Sequence, residues 1–318
     1  MKESLYGIEQ IEVNLPKEMV TSSMLAEEFN FDLGFIEDKI GVKKLYISNG
    51  ETTSDLAVQA MDKLLLARPN LREELDLLIV CTQTPDFQLP HVSALVHART
   101  NLHNGVAAFD ISLGCSGFVY GLSIIEALMV QNNWENAVLI TAETYSSIID
   151  PQDRSTKCLF SDAAAATLIT RTGSIKIGNF CFGTKGEGYG SLIVRPTLNG
   201  GEKQPLFMDG RAIYEFAVST IPGNIVRTCE INDLDLHSVD YFVLHQASKF
   251  VLDAIGRKLK IDNPSKLINF MAIAGNTVSS SIPIALKETL SIHPESNLKI
   301  IISGFGVGLS WASTLLST

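Results

Sequence analysis

Short apolar runs alternate along the chain with longer segments in which apolar residues recur at helical spacing. The short runs are continuously apolar, which is typical of strands covered on both faces of a sheet. They predict strands at residues 75–81, 106–112, 137–142, 239–244 and 298–303. The helical spacing predicts helices at residues 54–66, 116–131, 249–259 and 277–290. This alternation indicates an α/β protein.

The order of these segments repeats once along the chain. The run 75–81 resembles 239–245 in its pattern, and 137–142 resembles 299–304. We therefore predict two copies of one α/β unit, at residues 1–172 and 173–318. In this superposition Cys115 and Asn276 are counterparts, each at the start of a predicted helix. The alternative is that buried strands look alike in any α/β protein.

Length, composition and charge narrow the class of protein. The 318 residues are 46% hydrophobic and 19% charged, which is enough apolar material for a large core. The net charge of −10 argues against general binding to nucleic acid or to anionic lipid. The first residues lack the pattern of a signal or transit peptide, and no apolar stretch has the length of a membrane span, so we expect a cytoplasmic protein. The five cysteines include no CxxC pair, so we expect no metal site and no disulfide framework.

Cys115 is the candidate nucleophile. It stands between Gly114 and Gly117, where a predicted strand leads into the helix at 116–131. The glycines permit a tight turn and the close approach of a substrate. Free N–H groups at a helix start lower the pKa of a thiol, so we expect a reactive thiolate. The other four cysteines lie in runs without glycines, where a cysteine usually serves as a small buried apolar residue.

Three further segments place polar groups where α/β proteins bind ligands. His245 ends the strand 239–244 and is the best candidate base or hydrogen-bond donor, although it could instead cap the next helix. Asn276 lies in a stretch of small residues, and its alternative role is that of a helix N-cap. The glycine-rich segment 304–308 follows a strand and could turn backbone N–H groups toward an oxyanion. No glycine-rich nucleotide-binding fingerprint is complete.

Together these motifs resemble those of the type III β-ketoacyl-acyl-carrier-protein synthases. In sequence order they are Gly-Cys-Ser-Gly-Phe at 114–118, His-Gln-Ala at 245–247, Gly-Asn-Thr at 275–277, Ser-Ile-Pro at 281–283, Gly-Val-Gly at 306–308 and Ser-Trp at 310–311. The resemblance covers nearly the whole chain. It implies a thiolase fold, in which two βαβαβαββ halves form αβαβα layers, and a homodimer.

The resemblance also implies roles for the site residues. Cys115 would take an acyl group from coenzyme A or from an acyl carrier protein. His245 and Asn276 would donate hydrogen bonds to a malonyl thioester while carbon dioxide leaves. The backbone N–H groups of Cys115 and Val307 would form the oxyanion hole. The thioesters are substrates in this scheme, and no cofactor is expected.

The family resemblance also assigns several other positions to binding surfaces. Phe35, Lys39 and Arg154 would contact coenzyme A, and the first two stand where the family has Trp and Arg. Leu89 would cross the dimer interface to close the acyl pocket of the partner. A docking surface for an acidic carrier protein would include Lys249, Arg257 and Lys258, although a run of charges is often only a solvated face.

Two other functions stay open at this point. The first is an acyltransferase that moves the acyl group from Cys115 to an oxygen or nitrogen acceptor in a specialised or glycan pathway. The second is a catalytically silent partner subunit, against which the intact set of Cys115, His245 and Asn276 argues.

Overall fold

The computed structural model describes residues 5–196, 204–294 and 297–318. Its strands are β1 (Gly7–Asn14), β2 (Glu18–Thr21), β3 (Lys44–Ile47), β4 (Leu77–Cys81), β5 (Ala107–Ile111), β6 (Asn136–Glu143), β7 (Ala163–Thr170), β8 (Ile175–Thr184), β9 (Leu192–Val194), β10 (Leu206–Met208), β11 (Tyr241–Leu244), β12 (Lys299–Gly306) and β13 (Ser310–Ser317). Its α-helices are α1 (Ser22–Phe29), α2 (Thr53–Ala67), α3 (Leu71–Glu74), α4 (Val92–Arg99), α5 (Gly117–Asn132), α6 (Arg154–Lys157), α7 (Gly210–Ile231), α8 (Lys249–Leu259), α9 (Met271–Ala274) and α10 (Ser281–Ile292).

Nine of the strands in the described ranges form one sheet whose two halves repeat the same pattern. The strand order is β5-β4-β6-β7-β1 in the first half and β11-β12-β13-β8 in the second. In the first half β5, β4 and β6 pair in parallel, and in the second half β11 pairs in parallel with β12. The pairs that follow toward the middle of the sheet, β6 with β7 and β7 with β1, and β12 with β13 and β13 with β8, are antiparallel. A single parallel bridge from Phe242 to Leu267 takes the place of β5 in the second half. The predicted internal repeat is therefore present in the strand topology.

The helices complete five layers. Helices α5 and α10 lie between the two halves of the sheet, and α5 packs on β4 and β6 as well as on β12 and β13. On the outer faces, α2 packs against β1, β6 and β7, and α7 packs against β8, β12 and β13. The expected αβαβα arrangement is confirmed. No helix in the described part of the chain is long and apolar enough to cross a membrane.

The predicted strands and three of the four predicted helices correspond to observed elements, but the fourth helix starts later than expected. Residues 277–280 form a separate 3₁₀ turn, Val278–Ser280, and α10 begins at Ser281. The φ angle of Val278 is +54°, a conformation that a β-branched residue rarely adopts and that does not occur inside a right-handed α-helix. Pro283 lies in the first turn of α10, where its missing N–H costs no intrahelical hydrogen bond.

The turn between β7 and β8 lies where the sequence places the boundary between residues 1–172 and 173–318. In this turn β1 and β8 approach closely, and a Cβ atom added at Gly7 would be 2.4 Å from the backbone oxygen of Gly173. Glycine is therefore required at the point where the two halves of the sheet meet. The division into two domains at this point stays a prediction.

Candidate active site

Cys115 lies directly before α5, in the loop that follows β5, and is only 4% exposed. The strand β12 passes close behind it. A Cβ atom added at Gly306 would be 2.7 Å from the Cys115 Sγ, and one added at Gly304 would be 2.6 Å from the Cys115 carbonyl oxygen. The glycines of the segment 304–308 therefore let the backbone of β12 approach the thiol, and no other residue type fits there.

Burial controls the protonation state of this thiol. It raises the pKa of Cys115 to about 12, and the nearby carboxyl group of Glu143 is a smaller cause in the same direction. The backbone N–H groups of Val307 and Cys115 are directed at the thiol and lower its pKa, but burial prevails. The expectation of a free thiolate at the helix start is therefore wrong, because the cost of burying a charge exceeds the effect of the helix terminus.

His245 follows β11 and is 2% exposed. Burial lowers the pKa of its ring to about 3, so the imidazole is neutral at ordinary pH. Its Nδ1 atom lies 2.7 Å from Ser281 Oγ, and this hydroxyl lies 2.9 Å from the carbonyl oxygen of Val278. The helix after His245 is capped by Ser248, whose hydroxyl accepts a hydrogen bond from the Val251 N–H. His245 is therefore not a capping residue.

Asn276 is 3% exposed and joins the two halves of the chain. Its backbone N–H donates to the Leu159 carbonyl at 3.0 Å, and its carbonyl accepts from the Ser161 N–H at 2.9 Å. The side-chain Oδ1 accepts a hydrogen bond from the Val278 N–H at 2.9 Å, which leaves the amide NH₂ available as a donor. The N-cap of α10 is Ser280, so Asn276 does not cap this helix.

One cavity of about 140 Å³ brings Cys115, His245 and Asn276 together. Its other lining residues are mostly apolar: Leu159, Phe160, Leu192, Met208, Gly210, Ile213, Tyr214, Ala247, Ser248, Val251, Phe305 and Gly306. A larger cavity of about 600 Å³ lies on the other side of Phe160, between α1, β2 and the segment 146–157. The three residues that the motifs single out thus line the same small cavity.

The residues expected at a coenzyme A site lie on the surface. Phe35 is 46% exposed, in the π-helical turn Phe35–Ile40, and Lys39 and Arg154 are exposed as well. The Arg154 guanidinium lies 4.8 Å from the centre of the Phe31 ring, and Phe31 lies 5.5 Å from Phe35. Phe31 therefore connects Phe35 to Arg154, a contact that the sequence did not indicate.

The other expected binding residues are also accessible. Leu89 is 79% exposed, in the loop between β4 and α4. On α8, Lys249 forms an ion pair with Asp253 at 2.5 Å, whereas Arg257 and Lys258 are exposed at the C-terminal end of the helix. A partner protein could reach Arg257 and Lys258 directly, but Lys249 already has a partner of opposite charge.

Sequence reasoning missed Glu143 and Gln83, and it named Ser281 only as part of the Ser-Ile-Pro motif, without a role. Glu143 is completely buried at the end of β6, and its only signal in the sequence is an acidic residue closing an apolar run. The Gln83 Oε1 atom accepts a hydrogen bond from the Tyr145 hydroxyl at 2.9 Å and would lie 2.4 Å from a Cβ atom added at Gly114. In the part of the chain that the structure describes, no cluster of His, Cys, Asp and Glu side chains could hold a metal ion.

Family models and curated relatives both match this chain. The family model described as 3-oxoacyl-[acyl-carrier-protein (ACP)] synthase III matches residues 109–186, and the model of its C-terminal part matches residues 229–318. The β-ketoacyl-[acyl-carrier-protein] synthase III of Lactococcus lactis subsp. cremoris is 35% identical over 314 residues, which are 95% of this chain and 96% of that protein. That of Streptococcus sanguinis is 34% identical and covers 98% of both chains.

Solved structures give the same result. A 2.1 Å crystal structure of a 3-oxoacyl-(acyl-carrier-protein) synthase III superposes with a TM-score of 0.91, at 33% identity, over 98% of this chain and 99% of that one. The synthase III of Pseudomonas aeruginosa PAO1 superposes with a TM-score of 0.91, at 28% identity, over 98% of both chains. The chain therefore belongs to the 3-oxoacyl-acyl-carrier-protein synthase III family, whose members are condensing acyltransferases.

Proposed function

We propose that in this condensing enzyme Cys115 carries the acyl group, while His245 and Asn276 activate the malonyl thioester. The observation that carries this proposal is the chemistry of the 140 Å³ cavity. The described residues that line it supply a thiol, a neutral imidazole and an amide NH₂, and they include no lysine, arginine, aspartate or glutamate. A developing enolate is stabilised by neutral donors, and a carboxylate would repel it.

The first half-reaction loads the acyl group. The Cys115 sulfur attacks the acyl carbonyl of a thioester, the thiol gives up its proton, and the donor leaves as a free thiol. Negative charge develops on the acyl oxygen during this step. The N–H groups of Cys115 and Val307, which are directed at the sulfur, are the donors in position to stabilise that charge.

The second half-reaction makes the nucleophile. The bond between the malonyl carboxylate and its CH₂ group breaks, carbon dioxide leaves, and the electron pair forms an enolate on the thioester. Hydrogen bonds from the His245 ring N–H and the Asn276 amide stabilise the enolate oxygen. The enolate carbon then attacks the acyl group on Cys115, a carbon–carbon bond forms, and the cysteine sulfur leaves as a thiolate that takes a proton from solvent.

Acyl-CoA and acyl carrier protein are the proposed donors, and malonyl carrier protein is the proposed acceptor in fatty-acid or related acyl-chain synthesis. The platform of Phe31, Phe35 and Arg154 supports a nucleotide contact near the surface. Lys39 is exposed on the same π-helical turn. The exposed Arg257 and Lys258 support docking of an acidic carrier protein, with Lys249 contributing less because of its ion pair.

A homodimer is part of the proposal. Strand β5 is the edge of the nine-stranded sheet in the described structure, and all five of its residues are half-buried. An unpaired edge of this kind is suited to pairing with a second copy. Leu89 projects from the loop beside this edge, where it would reach the acyl pocket of the partner subunit.

A second function is favoured by one specific observation. The Ser281 hydroxyl has a single proton and two acceptors within reach, His245 Nδ1 at 2.7 Å and the Val278 carbonyl at 2.9 Å. When the hydroxyl donates its hydrogen bond to Nδ1, the ring proton of His245 is on Nε2, which can then donate, as condensation requires. When the hydroxyl donates to the Val278 carbonyl, the ring proton is on Nδ1, and the unprotonated Nε2 is a base, which suits transfer of the acyl group to an alcohol or amine.

The test separates the two half-reactions. Intact-mass analysis after incubation with labelled acyl-CoA or acyl carrier protein measures the loading of Cys115, and release of labelled carbon dioxide from malonyl carrier protein measures decarboxylation. Cys115→Ala should lose the acyl mass shift, whereas Cys229→Ala, a buried cysteine in α7, should keep it. His245→Ala and Asn276→Ala should still acylate but lose decarboxylation by a factor of about 10².

The contrary outcomes are distinct. Stoichiometric acylation of Cys115→Ala would contradict the assignment of the nucleophile. If the wild type releases no carbon dioxide but transfers its acyl group to an alcohol or amine, the acyltransferase function replaces condensation. His245 then serves as the base that deprotonates the acceptor.

A further inference from the structure

Glu143 is a completely buried acid that the mechanism above does not use. Its carboxyl group accepts hydrogen bonds from the Gln83 N–H at 3.1 Å, from the Thr84 hydroxyl at 2.9 Å and from the Thr82 hydroxyl at 3.4 Å. All three donors belong to the segment that follows β4. None of the ion pairs in the described residues involves Glu143. A buried carboxyl group without a neighbouring cation is costly, so its hydrogen bonds must compensate for the lost hydration.

The fourth donor comes from the other half of the molecule. The Ser279 hydroxyl donates to Glu143 Oε1 at 3.2 Å. Ser279 is the middle residue of the 3₁₀ turn Val278–Ser280, three residues after Asn276. The N–H of Val278 in this turn holds the Asn276 side chain, and the carbonyl of Val278 accepts from the Ser281 hydroxyl that contacts His245.

The hydrogen-bond donors from the first half of the chain lie close to the nucleophile. Gln83 packs against Gly114, the residue before Cys115, so closely that a Cβ atom on Gly114 would be 2.4 Å from Gln83 Oε1. One carboxyl group thus connects the segment beside the Cys115 loop to the turn that orients Asn276 and His245. A displacement of either side would be transmitted to the other.

We propose that Glu143 is a positioning residue of the condensing reaction, which fixes the turn Val278–Ser280 relative to the loop of Cys115. The role in condensation depends on the proposed function above. Glu143 does not touch the reacting atoms, because it is absent from the lining of the cavity. It acts through Ser279 on the donors His245 and Asn276, and through its charge on the Cys115 thiol.

The charge of Glu143 allows a measurement, the pH dependence of Cys115 reactivity, that would not change if the role of Glu143 were purely structural. Burial raises the pKa of Glu143 to about 8, so the group is neutral below this pH and anionic above it. The anionic form raises the pKa of Cys115. Cys81 and Tyr145 also face Glu143, and their own pKa values are raised well above the usual range, so both stay neutral. Asp110 faces Cys81 and accepts hydrogen bonds from the N–H groups of Val92 and Ser93.

The experiment uses two variants. Glu143→Gln removes the charge, and Ser279→Ala removes the hydrogen bond that joins Glu143 to the second half of the chain. Alkylation of Cys115 by iodoacetamide is followed by peptide mass analysis from about pH 6 to about pH 10. Relative to the wild type, Glu143→Gln should react at a similar rate below about pH 7 and about three- to tenfold faster above about pH 9, where the wild-type carboxylate opposes the thiolate. Glu187→Gln, an exposed acid, is the control and should follow the wild type throughout.

Ser279→Ala keeps the carboxyl group but removes a hydrogen bond that lowers the pKa of Glu143, so its alkylation profile should keep the shape of the wild type with the change displaced to higher pH. Its acyl loading should be unchanged, while its decarboxylation rate should fall by about tenfold because the donors lose their alignment. A pH-independent rate ratio for Glu143→Gln, or normal decarboxylation by Ser279→Ala, would overturn the proposal. If Glu143→Gln does not fold, the Ser279→Ala result decides. A wild type that releases no carbon dioxide would contradict the proposed function, whereas the alkylation profile would still decide whether the charge reaches Cys115.

Discussion

Burial makes both of the ionisable residues at the reaction centre neutral. It raises the pKa of the Cys115 thiol to about 12 and lowers the pKa of the His245 ring to about 3. The free enzyme therefore holds a thiol and a neutral imidazole, and no thiolate–imidazolium pair. A neutral imidazole suits the second half-reaction, in which a donor must approach a carboxylate-bearing substrate without fixing it as an ion pair.

The neutral His245 makes the stability of the protein depend on pH. Between about pH 6.5 and about pH 3 the unfolded chain binds a proton on this ring and the folded chain does not, so stability falls as the pH drops below about 6.5. Replacing His245 with Gln removes this contribution. Between pH 7.5 and pH 5 the wild type should lose about 2 kcal/mol more unfolding free energy than His245→Gln. Urea unfolding at both pH values measures the difference, and equal losses would show that the ring is protonated in the folded state.

We expect Ser281 to decide which nitrogen of His245 carries the proton, because its hydroxyl contacts the Nδ1 atom. In Ser281→Ala the Nδ1 atom can only donate to the carbonyl of Val278, which leaves Nε2 without a proton. Decarboxylation should then fall by about 10², while acyl loading of Cys115 persists. The control is Ser291→Ala at the exposed end of α10, since the hydroxyl of Ser291 donates to the Glu288 carbonyl and does not contact the histidine. Equal decarboxylation by both variants would contradict this role of Ser281.

At the scale of elements, the path of β12 behind Cys115 defines the site. Gly306→Ala would place a methyl group 2.7 Å from the thiol, and the strand cannot retreat because it pairs with both β11 and β13. We expect the acyl-loading rate of Gly306→Ala to fall by about 10² while the fold is retained. Gly190→Ala, at a glycine with no atom within 4 Å of the added methyl group, is the control and should load normally. Measurement of the acyl mass shift over time compares the two, and normal loading by Gly306→Ala would show that the strand can yield.

The elements also explain what the sequence could predict. The apolar runs of β4, β6, β11 and β12 and the motifs at their ends indicate both the repeat and the three cavity residues, because buried parallel strands have a clear local pattern. The start of α10 was predicted too early, since the apolar pattern continues through a turn whose geometry depends on the positive φ of Val278. The importance of Glu143 was not predictable, because its hydrogen-bond partners lie far from it in sequence and become neighbours only after folding.

At the scale of the whole molecule, charge limits where an acidic carrier protein can dock. The chain has a net charge of −10, so most of its surface repels an acidic partner. The C-terminal end of α8 presents Arg257 and Lys258, both exposed. The same helix begins near the cavity, which Ser248 and Val251 line. Helix α8 has 11 residues, so a carrier protein bound at its basic end would lie about 16 Å from the residues that line the cavity, while coenzyme A thioesters would not require these side chains.

This separation gives a test of carrier recognition. The double substitution Arg257→Glu with Lys258→Glu should raise the KM for malonyl carrier protein about tenfold at low salt, because it replaces attraction by repulsion in the encounter. The effect should shrink as the salt concentration rises, and loading of Cys115 from acyl-CoA should be unchanged. Arg227→Glu, an exposed residue of α7 whose partner is Glu230, is the control for charge reversal and should leave the KM near that of the wild type. An unchanged KM in the double variant would show that the docking surface lies elsewhere. An equal rise of the KM in the control would show that the effect comes from the change in net charge and not from a specific surface.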